Sequence, residues 1–361
     1  REYGALAKHL HYQPEYLQRN IKMTFTDHLN TIIRGENLSH ENMAAMMGDI
    51  FSGNITSAQS GAFMAALATK GETFEELAGA AQAMRRKATR IQTMTQQVVD
   101  TCGTGGDASG TFNVSTTTAF VVAGCGICVA KHGNRSISSK CGSADVLEAL
   151  GVNLNTDPEV VEEAVNDIGI GFLFAPKFHS AMRHAAQARK EVGIKSIFNM
   201  LGPLTNPAAT RHQLLGVFAP QLTEMFAQAL KLLGTKRALV VHGHDGMDEI
   251  TVCAPTRVSE LNDGMVRTYD IDPLEFFPDY ADAQEIKGGD VSTNAAITLS
   301  VLKGDKGPKR NIVLINSAAA LLAANDVDNL KQGIEKAKQA LDSGKALEKL
   351  EALAKFTQEN A

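Results

Sequence analysis

The first part of the chain places apolar residues with the period of amphipathic helices. They recur at three- and four-residue intervals in HENMAAMMGDIF and GAFMAALAT, and glycines follow the periodic segments. Thr56 with Gln59, and Thr73 with Glu76, have the spacing of capping boxes, in which side chains and backbone N–H groups pair at a helix start. The pattern predicts that residues 24–92 are helical throughout.

From about Val98 the pattern changes to short runs rich in β-branched residues, separated by helical segments. The runs are QVVDT, ICVAK, GFLFA, QLLGVFA and KRALVVHG, and the chain is again predicted to be helical from Asn294. Strands that alternate with helices are typical of a parallel sheet covered by helices. We therefore predict the α/β class: a small all-helical domain plus a large α/β domain with a mainly parallel central sheet flanked by helices.

Three segments are expected along the chain. Residues 1–22 lack the apolar core of a signal peptide, and either a cloning remnant or a native extension fits them. The small helical domain is expected over 23–95 and the large α/β domain over 96–361. The stretch HSAMRHAAQARKEVG interrupts the strand–helix rhythm, so the small domain is expected to be completed by about 180–210. LGPLTNP would then be a stiff connector, because proline restricts φ.

Composition and charge narrow the class of protein. The 361 residues are 44% hydrophobic and 21% charged, as in a soluble globular protein of more than one domain. The net charge of −5 argues against a general nucleic-acid binder but allows a local basic pocket. No apolar run is long enough for a membrane span. Five cysteines, with one C-x-x-C at Cys125 and Cys128 and no further ligands at metal spacing, indicate reduced thiols in a cytoplasmic protein.

A glycine-rich stretch, DTCGTGGDASGTF, lies between a predicted strand and the predicted helix NVSTTTAFVVAG. Glycines let backbone N–H groups approach a ligand, and a helix start adds unpaired donors and a positive dipole, which together favour an anion site. The spacing matches neither the dinucleotide-binding fingerprint nor the Walker A loop. A tight strand-to-helix turn without a ligand is the alternative.

A second loop of the same kind precedes a helix predicted to begin near Ser143. It concentrates cationic, amide and hydroxyl side chains, which suit phosphate oxygens: Lys131, His132, Asn134, Arg135, Ser136, Ser138, Ser139 and Lys140. Each lysine alone would be read as a solvated surface charge. Two such loops in one domain predict a ligand with two separated phosphate groups.

Two further features suggest one site for a cation and another for a carboxylate. Asp248 and Glu249 are adjacent in HGHDGMDEIT, after a predicted strand, and such carboxylates suit Mg²⁺ together with substrate phosphates. The alternative is an ordinary acidic turn, and His242 and His244 are expected to be structural. Arg189 lies ten residues after His179, and its guanidinium fork suits a carboxylate, although a surface arginine on a helix explains it equally.

Six of these motifs, in this order, resemble those of the anthranilate phosphoribosyltransferases. They are GTGGD (Gly103–Asp107), NVST (Asn113–Thr116), KHGNRS (Lys131–Ser136), GSADVLEALG (Gly142–Gly151), NMLGPLTNP (Asn199–Pro207) and DGMDE (Asp245–Glu249). The resemblance covers most of the chain from about Thr24. Cys102 and Cys141 depart from it, standing where a small apolar residue and a serine are expected.

The resemblance implies transfer of the 5-phosphoribosyl group of 5-phosphoribosyl 1-pyrophosphate (PRPP) to the amine of anthranilate, with release of pyrophosphate, in tryptophan biosynthesis. It also implies an active site between the domains, a homodimer through the helical domain, and Mg²⁺ as cofactor. The expected PRPP-binding residues are Gly103, Gly105, Gly106, Asp107, Thr111, Asn113, Val114, Ser115, Thr116, Lys131 and Ser143. Those expected for anthranilate are Gly103, His132, Asn134, His179 and Arg189, and those for the metal are Ser115, Asp248 and Glu249.

The chemistry expected from these ligands is a dissociative displacement assisted by Mg²⁺, without a covalent enzyme intermediate. The amine of anthranilate is neutral at pH 7 and becomes acidic on attack, so a general base is optional, with His132 as the candidate. The alternatives are a pyrimidine nucleoside phosphorylase, which resembles the SSKCGSADVLEALG segment, and a non-catalytic homologue that binds nucleic acid. No membrane or nucleic-acid partner is expected.

Overall fold

Four amphipathic helices form the amino-terminal layer, and each begins after a hydroxyl-bearing residue whose side chain accepts a backbone N–H. The computed structural model describes residues 23–107, 109–136 and 141–360. The four helices are α1 (Phe25–Ile33), α2 (His40–Phe51), α3 (Ser57–Lys70) and α4 (Phe74–Lys87). Both predicted capping boxes, at Thr56 and Thr73, are confirmed. The predicted extension, 1–22, lies outside the described residues.

Helix α4 ends earlier than the pattern predicted, and the chain continues in an extended conformation. Thr89 N–H donates to Phe178 O at 2.9 Å and Ile91 N–H donates to Pro207 O at 3.4 Å. These bonds are to residues more than eighty positions away, so local periodicity could not reveal them.

Seven strands form one sheet in the order β3-β2-β1-β4-β5-β6-β7. The strands are β1 (Val98–Gly103), β2 (Cys128–Gly133), β3 (Ile170–Phe174), β4 (His212–Gly216), β5 (Arg237–Gly243), β6 (Thr256–Asn262) and β7 (Met265–Ile271). β1 to β5 are parallel, whereas β6 and β7 pair antiparallel. The carboxyl ends of the five parallel strands therefore lie at one edge, where their loops can form a shared site.

The hairpin β6–β7 was missed by the sequence interpretation. Asp263 and Gly264 connect the two strands with φ of 44° and 81°. Positive φ at both positions is what a two-residue hairpin turn requires, and Asp-Gly between alternating strands is its usual signal. The hairpin continues the sheet beyond β5 and ends it with an exposed edge strand.

The other helices cover both faces of the sheet or connect its strands. They are α5 (Val114–Gly124), α6 (Ser143–Ala149), α7 (Pro158–Glu163), α8 (Ala175–Phe178), α9 (Arg183–Val192), α10 (Phe198–Leu201), α11 (Leu222–Leu232), α12 (Val291–Leu302), α13 (Pro308–Ala323), α14 (Leu330–Asp342) and α15 (Lys345–Glu359). In the part of the chain described, no helix is both long and apolar enough to cross a bilayer.

The apolar core lies on both faces of the sheet and comprises two large clusters and one small cluster. Leu239 and Val241 of β5 belong to the cluster that includes α13, whereas Ala238 and Val240 belong to the cluster that includes α11. Burial of alternate residues on opposite faces is typical of a parallel sheet between helical layers. The predicted fold class, with its small helical layer and its mainly parallel sheet flanked by helices, is confirmed.

Helix α9 packs against α2 and α3, away from the strands that precede and follow it. Gly53 has a φ of 74°, which favours glycine, and a Cβ there would lie 2.7 Å from His184 Nδ1 of α9. The chain then returns to the sheet through LGPLTNP. There, Gln213 Nε2 donates to Pro203 O at 2.6 Å and Asn206 Nδ2 donates to Ala130 O at 2.7 Å.

Candidate active site

The glycine loop joins β1 to α5 at the carboxyl edge of the sheet. A side chain at Gly103 would approach Asp248 Oδ2 to 2.7 Å, so this position must stay bare for the acidic segment to pack. Gly105 and Gly106 have φ of 64° and 78°, values that side chains disfavour. Both residues are exposed at this edge of the sheet.

The acidic segment that follows β5 is hydrogen-bonded to both ends of the glycine loop. Gly105 N–H donates to Asp248 Oδ2 at 2.9 Å, and Ser115 N–H, in the first turn of α5, donates to Glu249 Oε1 at 3.1 Å. Asp248 N–H in turn donates to Asp107 Oδ2 at 3.3 Å. The structure thus brings the three residues predicted for the metal together with the loop predicted for phosphate.

Crowding of carboxylates changes the acidity of this segment. Burial, and next the nearby charge of Asp107, raise the pKa of Asp248 to about 7. Burial and the charge of Asp248 likewise raise the pKa of Glu249. A bound cation would offset this repulsion, and the oxygen donors of Ser115, Asp248 and Glu249 fit Mg²⁺. Within the described residues, no three His, Cys, Asp or Glu side chains converge to hold a metal alone.

Lys131 is buried beneath this cluster. Its Nζ donates to Thr101 O and, at 3.3 Å, to Ser115 Oγ. Burial lowers the pKa of Lys131, while the negative charges of Asp100 and Glu249 oppose that shift. The ammonium therefore lies beside the start of α5 and near the acidic segment.

Asp100 was not predicted as part of the site. It has no exposed surface, and its Oδ1 accepts His132 N–H at 3.1 Å. Burial raises the pKa of Asp100, and the charge of Lys131 opposes the rise. The available signal was a single carboxylate within the otherwise uncharged strand VVDTCG, since an acidic residue in a buried strand requires a partner.

The second loop meets the first at the start of α6. Ser143 Oγ and Ala144 N–H both donate to Asn134 O at 3.2 Å. Asn113 Nδ2 donates to Cys141 O at 3.3 Å, and so links the residue before α5 to the segment before α6. Ser138, Ser139 and Lys140 of the predicted cluster lie outside the described residues.

Arg135 has a different role from the one suggested by its sequence. Its guanidinium pairs with Asp145 at 2.9 Å and with Glu148 at 2.9 Å, both on α6. The side chain therefore secures the loop to the helix, and its charge is already balanced by carboxylates. A spacing of ten and thirteen residues across a loop hides such pairs from periodicity arguments.

The two predicted histidines form a buried pair. His132 Nδ1 donates to Gly202 O at 3.0 Å, so its Nε2 accepts from His179 Nε2 at 3.2 Å. Burial, followed by the proximity of His179, lowers the pKa of His132 to about 3, and burial lowers the pKa of His179 to about 4. Both rings are therefore neutral at pH 7, and the acceptor nitrogen of His132 is occupied in this arrangement.

Arg189 stands apart from the other predicted residues. Its Cζ lies 5.5 Å from the centroid of the Phe198 ring, and its guanidinium forms no hydrogen bond or ion pair with a described residue. Burial lowers its pKa from the usual high value. No hydrogen bond or ring contact within the described ranges joins it to His132, Asn134 or His179.

The remaining predicted residues differ in accessibility. Val114 and Thr116 are each only 1% exposed, and Val114 N–H already donates to Phe112 O at 2.7 Å. Thr111 and Asn113 are half-buried, and Thr111 pairs with Lys287 in an isolated antiparallel bridge.

Comparison with known proteins identifies both layers. The helical bundle domain of the glycosyl transferase family matches residues 26–88, and the α/β domain of that family matches residues 95–347. Anthranilate phosphoribosyltransferase of Desulfosudis oleivorans is 68% identical over 93% of this chain and 99% of its own length.

Solved structures agree with this similarity. The crystal structure of anthranilate phosphoribosyltransferase from Thermus thermophilus has a TM-score of 0.87 and 41% identity, over 91% of this chain and 99% of that one. The Saccharomyces cerevisiae enzyme in complex with PRPP and Mg has a TM-score of 0.85 and 28% identity, over 93% and 98%. Neither the nucleoside phosphorylase nor the nucleic-acid-binding alternative is favoured. With two matched domains and high identity over nearly the whole chain, the protein belongs to the anthranilate phosphoribosyltransferase family.

Proposed function

We propose that this chain transfers the 5-phosphoribosyl group of PRPP to the amine of anthranilate, with release of pyrophosphate, as a step of tryptophan biosynthesis. The observation that carries the proposal is the joining of distant segments at one sheet edge. Gly105 N–H and Ser115 N–H, at the two ends of the glycine loop, bind the carboxylates of Asp248 and Glu249. Backbone donors and acidic side chains side by side suit a diphosphate together with a cation.

PRPP occupies the two helix-start loops in this proposal. Glycine N–H groups and the Lys131 ammonium hold its charged oxygens, and the hydroxyls before α5 and α6 hold its remaining polar atoms. Its site comprises Gly103, Gly105, Gly106, Asp107, Thr111, Asn113, Val114, Ser115, Thr116, Lys131 and Ser143. The assignment is supported by the contacts that link Asn113 to Cys141 and Asn134 to Ser143.

Mg²⁺ is the proposed cofactor, held by Ser115, Asp248 and Glu249. When bound, the ion supplies positive charge that offsets the charge gained by the departing pyrophosphate. The chain's own contribution is to keep Asp248 and Glu249 fixed by backbone N–H groups, so that their oxygens need no rearrangement. The crowding of carboxylates described above, and the yeast relative bound to PRPP and Mg, support this assignment.

Anthranilate binds beside PRPP through its carboxylate and its ring. The Arg189 guanidinium, without an ion pair to a described residue, holds the carboxylate, and Asn134, Gly103 and the histidine pair flank the ring. The neutral His132 serves to position the ring, because its acceptor nitrogen already receives a hydrogen bond. Catalysis then rests on orienting two substrates, without a dedicated base.

The large-scale assignments complete the proposal. The small domain comprises 23–95 and about 180–210, supported by the packing of α9 on α2 and α3, and the phosphoribosyl-binding domain is the remainder of 96–361. The protein acts in the cytoplasm as a homodimer joined through its helical domain, and its partners are its two small-molecule substrates.

Anthranilate fluorescence provides the decisive assay. The proposal predicts that fluorescence falls when protein, PRPP and Mg²⁺ are all present, and stays constant when either PRPP or Mg²⁺ is omitted. Phosphorolysis of thymidine or uridine, or salt-sensitive binding of nucleic acid without anthranilate consumption, would overturn it.

A further inference from the structure

Lys195 lies in the segment between α9 and α10, and its ammonium reaches the glycine loop. A Cβ at Gly106 would lie 3.8 Å from Lys195 Nζ, with no other contact within 4 Å. The side chain is exposed and forms no hydrogen bond or ion pair with any residue the structure describes. An unpaired cation therefore stands beside the exposed backbone of the loop proposed to hold phosphate.

The ring of Phe218 contacts this ammonium. Lys195 Nζ lies 4.8 Å from the centroid of the Phe218 ring, within the range of a cation–π contact. Phe218 N–H donates to Thr104 Oγ1 at 3.1 Å, and Thr104 N–H donates to Gly216 O at 2.9 Å. The backbone of the residue whose ring contacts the ammonium is thus hydrogen-bonded to the glycine loop.

The backbone next to Lys195 is also well defined. Ser196 N–H donates to Asn199 Oδ1 at 3.0 Å, and Ile197 is fully buried. Before Lys195, Gly193 ends α9 with φ of 66°. The lysine therefore projects from an anchored segment, which reduces the conformational entropy lost when its ammonium binds an anion.

We propose that Lys195 is a binding residue for the pyrophosphate group of PRPP. The proposal rests on the function proposed above. Asp248 occupies the N–H of Gly105, whereas Lys195 stands next to Gly106, so the two side chains contact different parts of one loop. An ammonium here balances anionic oxygens through charge-assisted hydrogen bonds.

The segment that carries Lys195 also carries Arg189. Arg189, proposed for the anthranilate carboxylate, lies in the last turn of α9, and Lys195 follows six residues later. The same connector would then contact both substrates, one through each cation. Binding of PRPP would hold the segment that presents Arg189, and this would favour the orientation needed for attack.

The test compares Lys195→Met, which keeps the aliphatic stem without the charge, with Lys195→Arg, which keeps the charge. Lys231→Met is the matched control, because Lys231 is an exposed lysine near the carboxyl end of α11. Inorganic pyrophosphate with Mg²⁺ is titrated by calorimetry, and the KM values for PRPP and anthranilate are measured separately. Melting temperatures show that each variant is folded.

Lys195→Met should weaken pyrophosphate binding and raise the KM for PRPP by about tenfold or more, the usual effect of losing a charged hydrogen bond. The KM for anthranilate should change less than about twofold, and Lys195→Arg should restore most of the affinity. Pyrophosphate affinity equal to the wild type in a folded Lys195→Met protein would overturn the inference. Failure of the proposed function would instead appear as a wild-type protein that does not consume anthranilate with PRPP.

Discussion

At the scale of residues, the site depends on which charges are already paired. Arg135 is neutralised by two carboxylates of α6, whereas Arg189 and Lys195 have no ion pair to a described residue. The sequence made both arginines candidates for an anion, and the family resemblance assigned a ligand only to Arg189. The contacts separate them, because a substrate anion at Arg135 would have to compete with two protein carboxylates that already pair with its guanidinium.

Replacing Asp248 by Asn tests the acidic segment. The amide keeps an acceptor for Gly105 N–H but removes the charge, so Mg²⁺-dependent turnover should fall on the order of 100-fold. Anthranilate affinity, measured by calorimetry, should be nearly unchanged. Asp263→Asn, the same change at the exposed β6–β7 turn, is the control. Turnover like that of the wild type at every Mg²⁺ concentration would reject the assignment.

Replacing Arg189 by Ala tests the anthranilate site. Loss of the guanidinium fork should raise the KM for anthranilate about tenfold or more and leave the KM for PRPP nearly intact. Arg183→Ala, at the exposed start of the same helix, should change neither value. An equal loss of affinity for both substrates would mean that the residue is misplaced.

The histidine pair should make stability depend on pH. Burial holds the pKa of His132 at about 3 and that of His179 at about 4, below the unfolded value of 6.5. Between these values the unfolded chain binds protons that the folded chain does not, so stability falls as pH falls from 7 to 5, by about 2 kcal/mol per histidine.

Urea unfolding of His179→Asn at both pH values checks this expectation. The variant should lose less stability between pH 7 and pH 5 than the wild type. His184→Asn, an exposed position on α9, should retain the wild-type dependence. Parallel pH profiles for His179→Asn and the wild type would contradict the assignment of this loss to the buried pair.

At the scale of elements, helix starts hold the structure together through side chains that reach other segments. Glu76, in the first turn of α4, has no exposed surface. It accepts N–H groups from Leu38 and Thr73 and the ammonium of Lys70, each at 2.9 Å. A capping box predicted from local spacing thus also joins α4 to α3 and to the segment that precedes α2.

Glu76→Gln should therefore destabilise the helical layer more than a surface substitution would. The change leaves Lys70 as an almost fully buried charge without its carboxylate, which should cost roughly 3 kcal/mol in the free energy of unfolding. Glu75→Gln, one position earlier, is the control and should have little effect. Equal urea midpoints for the two variants would show that the buried pair contributes nothing measurable.

At the scale of the whole molecule, the sheet has apolar side chains packed on both of its faces. Consecutive residues of β5 pack in different clusters. A cavity on either face should therefore lower the free energy of unfolding of the whole α/β domain. Substitutions on the edge strand β7 should affect stability less, because most of its residues are at least partly exposed.

Leu239→Ala and Met265→Ala measure that difference. Leu239 is fully buried, and its truncation should cost about 3 kcal/mol through lost apolar contact and a cavity. Met265 is 59% exposed on the edge strand, and its truncation should change stability by less than about 0.5 kcal/mol. Denaturant unfolding gives both values, and similar costs at the two positions would contradict this description of the sheet.

Much of the fold and of the family could be read from local pattern. Helix periodicity and capping spacing predicted the helical layer, and five β-branched runs predicted the five parallel strands. These features depend on residues within a turn or a strand of one another, where spacing alone sets the geometry. The β6–β7 hairpin was not predicted, because the Asp-Gly pair that signals its turn was overlooked. The early end of α4 was not predicted, because the residues that follow the helix form hydrogen bonds with distant segments.

By itself, the sequence determined which chemistry was available: glycine loops before helices, adjacent carboxylates, and motifs in the order of one family. Only the tertiary structure decided which of these groups meet. Gly105 and Asp248 are 143 positions apart, and the contact between them follows from the order of the strands. The pairing of Arg135, the depressed pKa values of the histidines, the burial of Asp100 and the approach of Lys195 to Gly106 have the same origin. Each depends on long-range packing, which sets burial and charge proximity but leaves little trace in local spacing.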